Sequence, residues 1–256
     1  MEEIDFTDKV AIVTGASSGI GAATAIAFAG YRAKLTLVGR NEGRLMETSE
    51  KCAAKHNIAP LCLILDLTID SNCEMVIKRT VEMYGRIDVL VNCAGKIILS
   101  SLHDKSMEAF DVVMNINFRV PFFLSQLALP HLTKSKGNII NMGSSLAKRF
   151  KPGLMPYIIT KSALSLMAKH SAPELLSEGV RINTICPGTT RTNILSNLNM
   201  NDEVQRIVYD ALAIDMPQGK IIDPKEVASF VCLVASDMFP NLNGAELLID
   251  GAASLT

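Results

Sequence analysis

The chain has 256 residues, 48% of them hydrophobic and 20% charged, with a formal net charge of −1. This length and composition suit one α/β domain with a continuous core, which we place over residues 1–256. The net charge is near zero, and no basic stretch is longer than residues 147–151. This charge distribution argues against a protein that binds nucleic acid or a membrane surface.

The six cysteines are scattered, without a CxxC pair or the Cys/His spacing of a metal site. This usage is typical of reduced thiols in a cytoplasmic protein and predicts that no metal is bound. The chain begins Met-Glu-Glu-Ile-Asp, without an apolar segment, so we expect no signal peptide. It has no run of about 18 apolar residues, so we expect no membrane-spanning helix.

A buried strand, a glycine-rich turn and a helix follow one another near the start. Val10–Val13 is apolar, Thr14–Gly21 reads Thr-Gly-Ala-Ser-Ser-Gly-Ile-Gly, and Ala22–Phe28 is rich in alanine. In this layout the first glycine permits a tight turn, the second lets the backbone approach a pyrophosphate, and the third lets the helix pack on the strand. The alternative is a plain strand-to-helix turn. We predict nucleotide binding by Gly15, Ser17, Ser18, Gly19, Ile20 and Gly21.

The second predicted strand, Lys34–Val38, ends in Gly39-Arg40 instead of the carboxylate that usually selects NAD. A guanidinium at this position can pair with a 2′-phosphate, so Arg40 predicts NADPH as the cofactor. The alternatives are an NAD site, and a solvated loop charge with no role in binding. Just before this strand, Gly30 is the predicted left-handed cap of the first helix.

Leu61–Leu65 and Val89–Val91 are the third and fourth predicted strands. Asp66 follows the third and could accept a hydrogen bond from an adenine amino group, or could instead cap the next helix. Small residues follow the fourth strand at 92–95, where a cofactor could lie against the strand end. Strands alternate with helical stretches of about 10–15 residues, which indicates βαβ units and a parallel sheet.

Apolar residues recur at helical spacing from Met107 to Lys134, which predicts one long helix. Asn117 lies among them, and a buried amide needs partners, so it is either a hydrogen-bonding hub of the core or a site residue. Pro121 is expected to bend this helix just after Asn117.

Tyr157 and Lys161 stand four positions apart, so on a helix both side chains project from the same face. A tyrosine normally keeps its proton until a pH of about 10, and a nearby ammonium is expected to lower that pKa. Ser144 ends the strand-like run Asn138–Met142, where a hydroxyl could hydrogen-bond a substrate carbonyl oxygen. Taken alone, a Tyr/Lys pair of this spacing often arises by chance.

Taken together, these residues resemble the short-chain dehydrogenase/reductase family along the whole chain. The family's TGxxxGxG falls on Thr14–Gly21, and its NNAG falls on Asn92–Gly95 with Cys93 in place of the second Asn. Its Asn–Ser–Tyr–Lys tetrad falls on Asn117, Ser144, Tyr157 and Lys161. Its Pro-Gly, which follows the sixth strand (Val180–Ile185), falls on Pro187 and Gly188. Its Asp-Gly, which follows the last strand (Gly244–Ile249), falls on Asp250 and Gly251.

The resemblance implies a single Rossmann domain, with a doubly wound, seven-stranded parallel sheet and helices on both faces. It implies that Tyr157 is the general acid in carbonyl reduction and the base in alcohol oxidation. Lys161 would hold the nicotinamide ribose and lower the Tyr157 pKa, and Ser144 would orient the carbonyl oxygen. Asn117 would hold a water that relays protons through Lys161.

The resemblance also implies which residues surround the cofactor and the substrate. Besides the glycine turn and Arg40, the cofactor would contact Asp66, Leu67, Asn92, Ala94, Gly95, Tyr157, Lys161, Pro187, Gly188, Thr189 and Thr192. Residues 189–222 would form a mobile lid that reads as an amphipathic helix, for which core packing is the alternative. The apolar residues Leu146, Leu154, Met155 and Ile194 are the predicted substrate contacts.

The predicted function is NADPH-dependent reduction of a hydrophobic ketone or aldehyde, with a ketosteroid, including an ecdysteroid-like 3-ketone, among the candidates. The chain is similar to arthropod and nematode reductases labelled as 3-oxoacyl-reductase-like. Glu178, however, stands where such bacterial enzymes tend to carry a basic residue for an acidic carrier protein. The alternatives are an NAD-dependent alcohol or hydroxysteroid dehydrogenase, a 3-oxoacyl reductase, and a retired NADP(H)-binding scaffold protein.

Two departures from the family pattern concern backbone and assembly. Arg32 stands where Gly is common, and a left-handed conformation there would cost about 1 kcal/mol. The family implies a homodimer or homotetramer built on the helices that carry Asn117 and Tyr157. Pro173 lies inside the second of these helices and is expected to bend it.

Overall fold

The computed structural model describes residues 4–149, 151–198, 200–214 and 216–255. The start of the chain, for which we expect no signal peptide, lies partly outside these residues, as do two positions of the predicted lid, 199 and 215. Within them, seven parallel strands form one sheet in the order β3-β2-β1-β4-β5-β6-β7. The strands are β1 Val10–Thr14, β2 Lys34–Gly39, β3 Leu61–Ile64, β4 Val89–Asn92, β5 Asn138–Met142, β6 Arg181–Pro187 and β7 Glu246–Ile249.

The central strands are apolar because both faces of the sheet are covered. β1, β4 and β5 are buried along their whole length. β1 pairs with β2 on one side and β4 on the other, with Ile12 opposite Thr36 and Leu90. The strand order therefore reverses between β1 and β4, and the crevice at such a reversal is where nucleotides bind in doubly wound sheets. The predicted fold is confirmed, with each strand end within two residues of its predicted position.

Helices cover both faces of the sheet. They are α1 Gly19–Gly30, α2 Glu42–His56, α3 Asp70–Tyr84, α4 Glu108–Met114, α5 Val120–Ser135, α6 Met155–Leu175, α7 Asp202–Ile214 and α8 Pro224–Ala235. One core forms with α1, α2 and α8 and contains Phe28. The Phe28 and Phe6 rings pack edge to face, with 4.9 Å between their centroids. A second core forms with α3, α5 and α6 on the opposite face.

The predicted long helix is present as three consecutive segments. Between α4 and α5, Asn115–Arg119 forms a π-helical turn in which the Val120 N–H bonds to the Asn115 carbonyl. Pro121 has no N–H to give to the Asn117 carbonyl, so the helix changes its pattern here. By length and hydropathy alone, Glu108–Ser135 meets the criterion for a membrane span, contrary to the sequence expectation. Its inner face lies in the second core, which accounts for this apolar character.

The end of α1 differs from prediction. Gly30 is the last helical residue and does not adopt the left-handed conformation, which falls instead on Arg32 at φ 69°. The prediction for Gly30 was wrong, and the expected left-handed backbone at Arg32 is present. Arg32 also pairs with Asp5 at 2.9 Å. In α6, Pro173 lies within the last turn, and the helix continues past it to Leu175.

Candidate active site

A cleft of about 590 Å³ opens at the carboxyl ends of β1, β4, β5 and β6. Its lining includes most of the residues that the sequence assigned to cofactor and substrate. These are Gly15, Ser17, Ser18, Gly19, Ile20, Gly21, Arg40, Asp66, Leu67, Ala94, Gly95, Ser144, Leu146, Leu154, Tyr157, Lys161, Pro187, Gly188, Thr189, Thr192 and Ile194. Strands that are far apart in sequence thus bring the predicted residues to one edge of the sheet.

The glycine turn is shaped by close backbone approach. Gly15 has φ +68°, and a Cβ on it would lie 2.9 Å from the Ala94 backbone. A Cβ on Gly21 would collide with the Gly15 carbonyl oxygen, and one on Gly19 would lie 2.8 Å from the Thr192 side chain. Only glycine fits these positions, so the backbone itself forms the wall of the cleft.

The N-terminus of α1 opens into the cleft. The Ser18 side chain makes no capping hydrogen bond, and the first turn carries no acidic residue. The free N–H groups and the helix dipole favour an anion at this point. This end of the cleft therefore suits the pyrophosphate of a dinucleotide.

At the neighbouring end of the cleft, Arg40 extends from the end of β2. Its side chain is 55% exposed, and its guanidinium lies 3.9 Å from the Asp66 carboxylate. Asp66 accepts hydrogen bonds from the Thr68 N–H and hydroxyl. Burial alone would raise the pKa of Asp66, but the Thr68 bonds and the Arg40 charge hold it below its usual value. Helix α3 begins later, after Ile69, so the alternative reading of Asp66 as its N-cap is wrong.

Ser144, Tyr157 and Lys161 meet in the middle of the cleft. Ser144 follows β5, and Tyr157 and Lys161 lie one turn apart near the start of α6. All three are buried, with exposed fractions of 5–7%. The Lys161 Nζ donates to the Met142 carbonyl at 2.7 Å and lies 5.6 Å from the centre of the Tyr157 ring. The Ser144 hydroxyl accepts from the Leu146 N–H at 3.2 Å.

Burial dominates the proton equilibria of the pair. It raises the pKa of Tyr157 to about 12, with a hydrogen bond to Ser144 opposing it. It lowers the pKa of Lys161 to about 8. The structure does not reproduce the expected lowering of the Tyr157 pKa, because burial is the largest effect on the phenol. The Lys161 ammonium bonds instead to the Met142 carbonyl. At neutral pH the phenol therefore keeps its proton.

Asn117 is a hydrogen-bonding hub beneath the cleft and does not line it. Its Oδ1 accepts from the Lys96 N–H at 2.8 Å, and its Nδ2 donates to the Lys96 carbonyl at 2.9 Å and to Thr160 at 3.3 Å. The side chain thus ties the segment after β4 to α6, one turn from Tyr157. It fixes the backbone next to Gly95, where an added Cβ would lie 3.2 Å from its Oδ1.

Two other predicted residues do not line the cleft. Asn92 is buried between strands, where its Nδ2 donates to Asn141 at 3.0 Å and to Ser125 at 3.3 Å. Asn92 therefore supports the cleft from below and does not make the predicted contact with the cofactor. Met155 opens α6 and is 41% exposed, so the predicted substrate contact is not found in the lining.

Comparison with known proteins identifies the family. A family profile described as enoyl-(acyl carrier protein) reductase matches residues 15–253. The chain is 33% identical over 248 residues to 2,5-dichloro-2,5-cyclohexadiene-1,4-diol dehydrogenase LinX of Sphingobium indicum, covering 96% of each chain. It is 31% identical over 253 residues to L-fucose dehydrogenase of Bos taurus, covering 98% of this chain and 91% of the other.

A solved structure agrees with these matches. It is a short-chain dehydrogenase/reductase of unknown function from Caenorhabditis elegans, determined with its cofactor. The TM-score is 0.93 at 29% identity, covering 98% of this chain and 97% of that one. The chain belongs to the short-chain dehydrogenase/reductase family. It is therefore an NAD(P)-dependent oxidoreductase, and the glycine turn and open α1 N-terminus described above fit such a dinucleotide.

One departure from the family pattern leaves the neighbouring backbone intact. Cys93 takes the place of the second Asn in the family's NNAG, and its side chain lines the cleft. The Cys93 and Ala94 N–H groups both donate to the Thr14 hydroxyl at 3.0 Å. Thr14 therefore joins the ends of β1 and β4 without help from the missing amide. Burial raises the pKa of Cys93 to about 11, so it stays a thiol.

The two ends of the predicted lid, residues 189–222, are joined to each other. Thr190 and Ile222 form a parallel bridge, and the Ile222 N–H donates to the Thr189 carbonyl at 2.8 Å. Between them, the Tyr209 hydroxyl on α7 donates to the Thr192 carbonyl at 2.7 Å. Core packing was the alternative explanation for the helical periodicity of residues 189–222. Through Tyr209, α7 also contacts Thr192, which is a predicted cofactor contact.

Several lining residues were not predicted from the sequence. They are Arg44, Leu99, Met142 and Arg149, among others. Arg44 had a usable signal, since it stands four residues after Arg40 in the first turn of α2. Among the residues that the structure describes, no group of three His, Cys, Asp or Glu side chains is arranged to hold a metal ion.

Proposed function

We propose that this enzyme uses NADPH to reduce a ketone or aldehyde on a largely apolar compound to the alcohol. The observation that carries the nucleotide preference is Arg40, which enters the cleft at the end of β2 where an NAD-selecting carboxylate would stand. Arg44 lines the same end of the cleft. Two guanidiniums beside the ribose favour a 2′-phosphate, because charge-assisted bonds to phosphate are strong.

The proton state of Tyr157 supports reduction as the favoured direction. With its pKa raised to about 12 by burial, the phenol can donate a proton at neutral pH. When bound, NADPH supplies the hydride that reaches the carbonyl carbon. Ser144 orients the carbonyl oxygen by hydrogen bonding, and Tyr157 protonates it. Lys161 in its charged form stabilises the phenolate that is left, and Asn117 holds the Lys96 segment in position.

The substrate end of the cleft supports an apolar substrate. Leu146, Leu154, Ile194 and Leu198 line it. A neutral ketosteroid is one compound class that such a wall suits. A 3-oxoacyl group on a carrier protein is less well supported, because Glu178 is acidic and accepts a hydrogen bond from Thr133 at 2.5 Å.

A second candidate function is NAD-dependent oxidation of a diol or sugar. It is favoured by the names of two relatives, a cyclohexadiene-diol dehydrogenase and L-fucose dehydrogenase. These relatives are only about one-third identical to this chain, at 33% and 31%, which supports the family more strongly than a shared substrate.

Exchange of Arg40 for Asp tests the nucleotide preference. We expect Arg40→Asp to weaken NADPH binding by roughly 10- to 100-fold and to leave NADH binding equal or tighter, because a charge-assisted bond is worth about 1.5–3 kcal/mol. Titrations followed by nicotinamide fluorescence measure both. Arg79→Asp is the matched control, since Arg79 is a surface arginine on α3 that pairs with Glu82 at 3.5 Å. Equal NADPH and NADH binding by the unaltered enzyme would make alcohol oxidation the leading function.

We also propose that the enzyme is a homodimer or homotetramer that buries an apolar face of α5 and α6. The face includes Phe122, Ile159 and Leu166, which are 43%, 42% and 55% exposed. Exposed apolar patches of this kind are typical of association surfaces. Sedimentation equilibrium should give at least twice the mass of 27.7 kDa. Ile159→Glu together with Leu166→Glu should lower it, and a monomeric unaltered protein would refute the proposal.

A further inference from the structure

Arg149 provides a positive charge in the wall of the substrate end. It directly follows the 3-10 turn Ser145–Lys148, and its backbone N–H donates to the Leu146 carbonyl at 3.2 Å. It is half-buried, and it lines the cleft together with Leu146, Leu154 and Tyr157. Among the described residues, no carboxylate lies within ion-pair distance of its guanidinium.

The preceding residue uses its charge elsewhere. The Lys148 Nζ lies 2.6 Å from a Glu246 carboxylate oxygen, and Ser165 donates to the same carboxylate at 2.8 Å. This contact joins the turn after Ser144 to β7 and α6. Lys148 is thereby held on the far side of the turn, and Arg149 is left on the side of the cleft.

Among the residues that the structure describes, the other charges near the substrate end do not neutralise Arg149. At the lid, Arg191 pairs with Asp210 at 3.8 Å and lies over the Tyr209 ring. Among the described lining residues, the one carboxylate is Asp66, which stands at the ribose end beside Arg40. A cation in a wall of leucine and isoleucine attracts an anion more strongly than one in open water.

We propose that Arg149 binds a carboxylate carried by the substrate, so that the substrates are oxo acids with an apolar chain between ketone and carboxylate. This inference rests on the proposed ketone reduction. The ketone would lie at Ser144 and Tyr157, the chain would lie against Leu146 and Leu154, and the carboxylate would reach Arg149. Binding a group remote from the reacting carbon orients the ketone for reaction.

The test uses straight-chain methyl ketones that end in a carboxylate, with about two to eight methylene groups between the two, and their methyl esters. Each acid and its ester share the ketone and the chain and differ in charge. We expect the unaltered enzyme to favour the best acid over its ester by about tenfold or more in kcat/KM, the worth of one charge-assisted bond. The acid's advantage should shrink with added salt.

Three variants assign this preference to Arg149. Arg149→Gln should reduce the acid-to-ester ratio about tenfold, mainly through the KM of the acid, and Arg149→Lys should recover part of it. Lys225→Gln is the control for loss of one positive charge, since Lys225 is an exposed residue of α8 outside the cleft. It should leave the ratio unchanged. An equal ratio in the unaltered enzyme and in Arg149→Gln overturns the proposal.

Calorimetric binding of the same acids separates this inference from the proposed reaction. If acids bind the unaltered enzyme but not Arg149→Gln, and neither they nor any neutral ketone is reduced, the proposed ketone reduction is refuted and the anion site is supported. Turnover of the ester or of a neutral ketosteroid with no binding of any acid would support ketone reduction and refute the anion site. Absence of acid binding in every case refutes the anion site.

Discussion

Replacement of Tyr157 by Phe is expected to reduce turnover by roughly a thousandfold or more, with folding and NADPH binding retained. A positioned general acid contributes about 10²–10⁴-fold to rate, and Phe removes the hydroxyl while keeping the ring. The ring is well packed, with an exposed fraction of 7% in a cluster with Ile97, Val113 and Leu154. Phe fills the same space, so the loss is chemical and the fold is unaffected.

Steady-state rates with a panel of ketones, together with NADPH titration, measure this effect. Tyr84→Phe is the matched control. The Tyr84 hydroxyl donates to the Leu35 carbonyl at 3.0 Å and accepts from the Leu61 N–H at 3.1 Å, away from the cleft. We expect that control to lose about 1–2 kcal/mol of unfolding free energy and to keep its turnover. Unchanged rates in Tyr157→Phe with every ketone would refute the assigned role of Tyr157. An unaltered protein that binds NADPH and turns over nothing in the panel would instead indicate a retired scaffold.

The parts of the fold that the sequence predicted are those with a local signal. Apolar runs marked the strands, and the glycine turn marked the first strand-to-helix connection. The Tyr157/Lys161 spacing marked one helix face. Each pattern comes from sterics or periodicity within a few residues, so no knowledge of the rest of the chain is needed.

The parts that the sequence missed depend on depth and on side-chain direction. Leu154 lines the cleft and Met155, the next residue, faces solvent, because the chain turns into α6 between them. The Tyr157 pKa was expected to fall, yet burial raises it, and the depth of a side chain is set by the whole fold. Lys148 and Arg149 are neighbouring basic residues that the sequence alone does not distinguish. Lys148 pairs with Glu246, a residue far along the chain, and this contact places it on the side of the turn away from the cleft.

Lys161 carries a stability cost that its replacement should reveal. We expect Lys161→Met to lose nearly all turnover and, at pH 7, to raise the free energy of unfolding by about 2 kcal/mol. Burial lowers the pKa of Lys161 from 10.5 to about 8, and each tenfold change in a proton-binding equilibrium corresponds to about 1.36 kcal/mol. Loss of the bond to the Met142 carbonyl returns roughly 1 kcal/mol of that gain.

The pH dependence of this gain has a definite sign. Between about pH 8 and 10.5 the unfolded chain binds a proton at Lys161 that the folded protein does not, so the unaltered enzyme becomes more stable as pH rises through this range. Lys161→Met has no such proton. Its advantage should therefore be fully present at pH 7 and shrink above pH 8, and it should vanish or reverse by about pH 10.

Denaturant unfolding of both proteins from about pH 6 to 10 measures this difference. Lys169→Met is the control, because Lys169 is exposed on the same helix and should show no pH-dependent gain. Two results would mean that the folded protein already stabilises the ammonium. One is a Lys161→Met variant that is less stable than the unaltered protein at pH 7, and the other is a difference in unfolding free energy that is the same at every pH. A variant that gains stability and loses turnover would mean that the buried charge of Lys161 serves catalysis and lowers the stability of the fold.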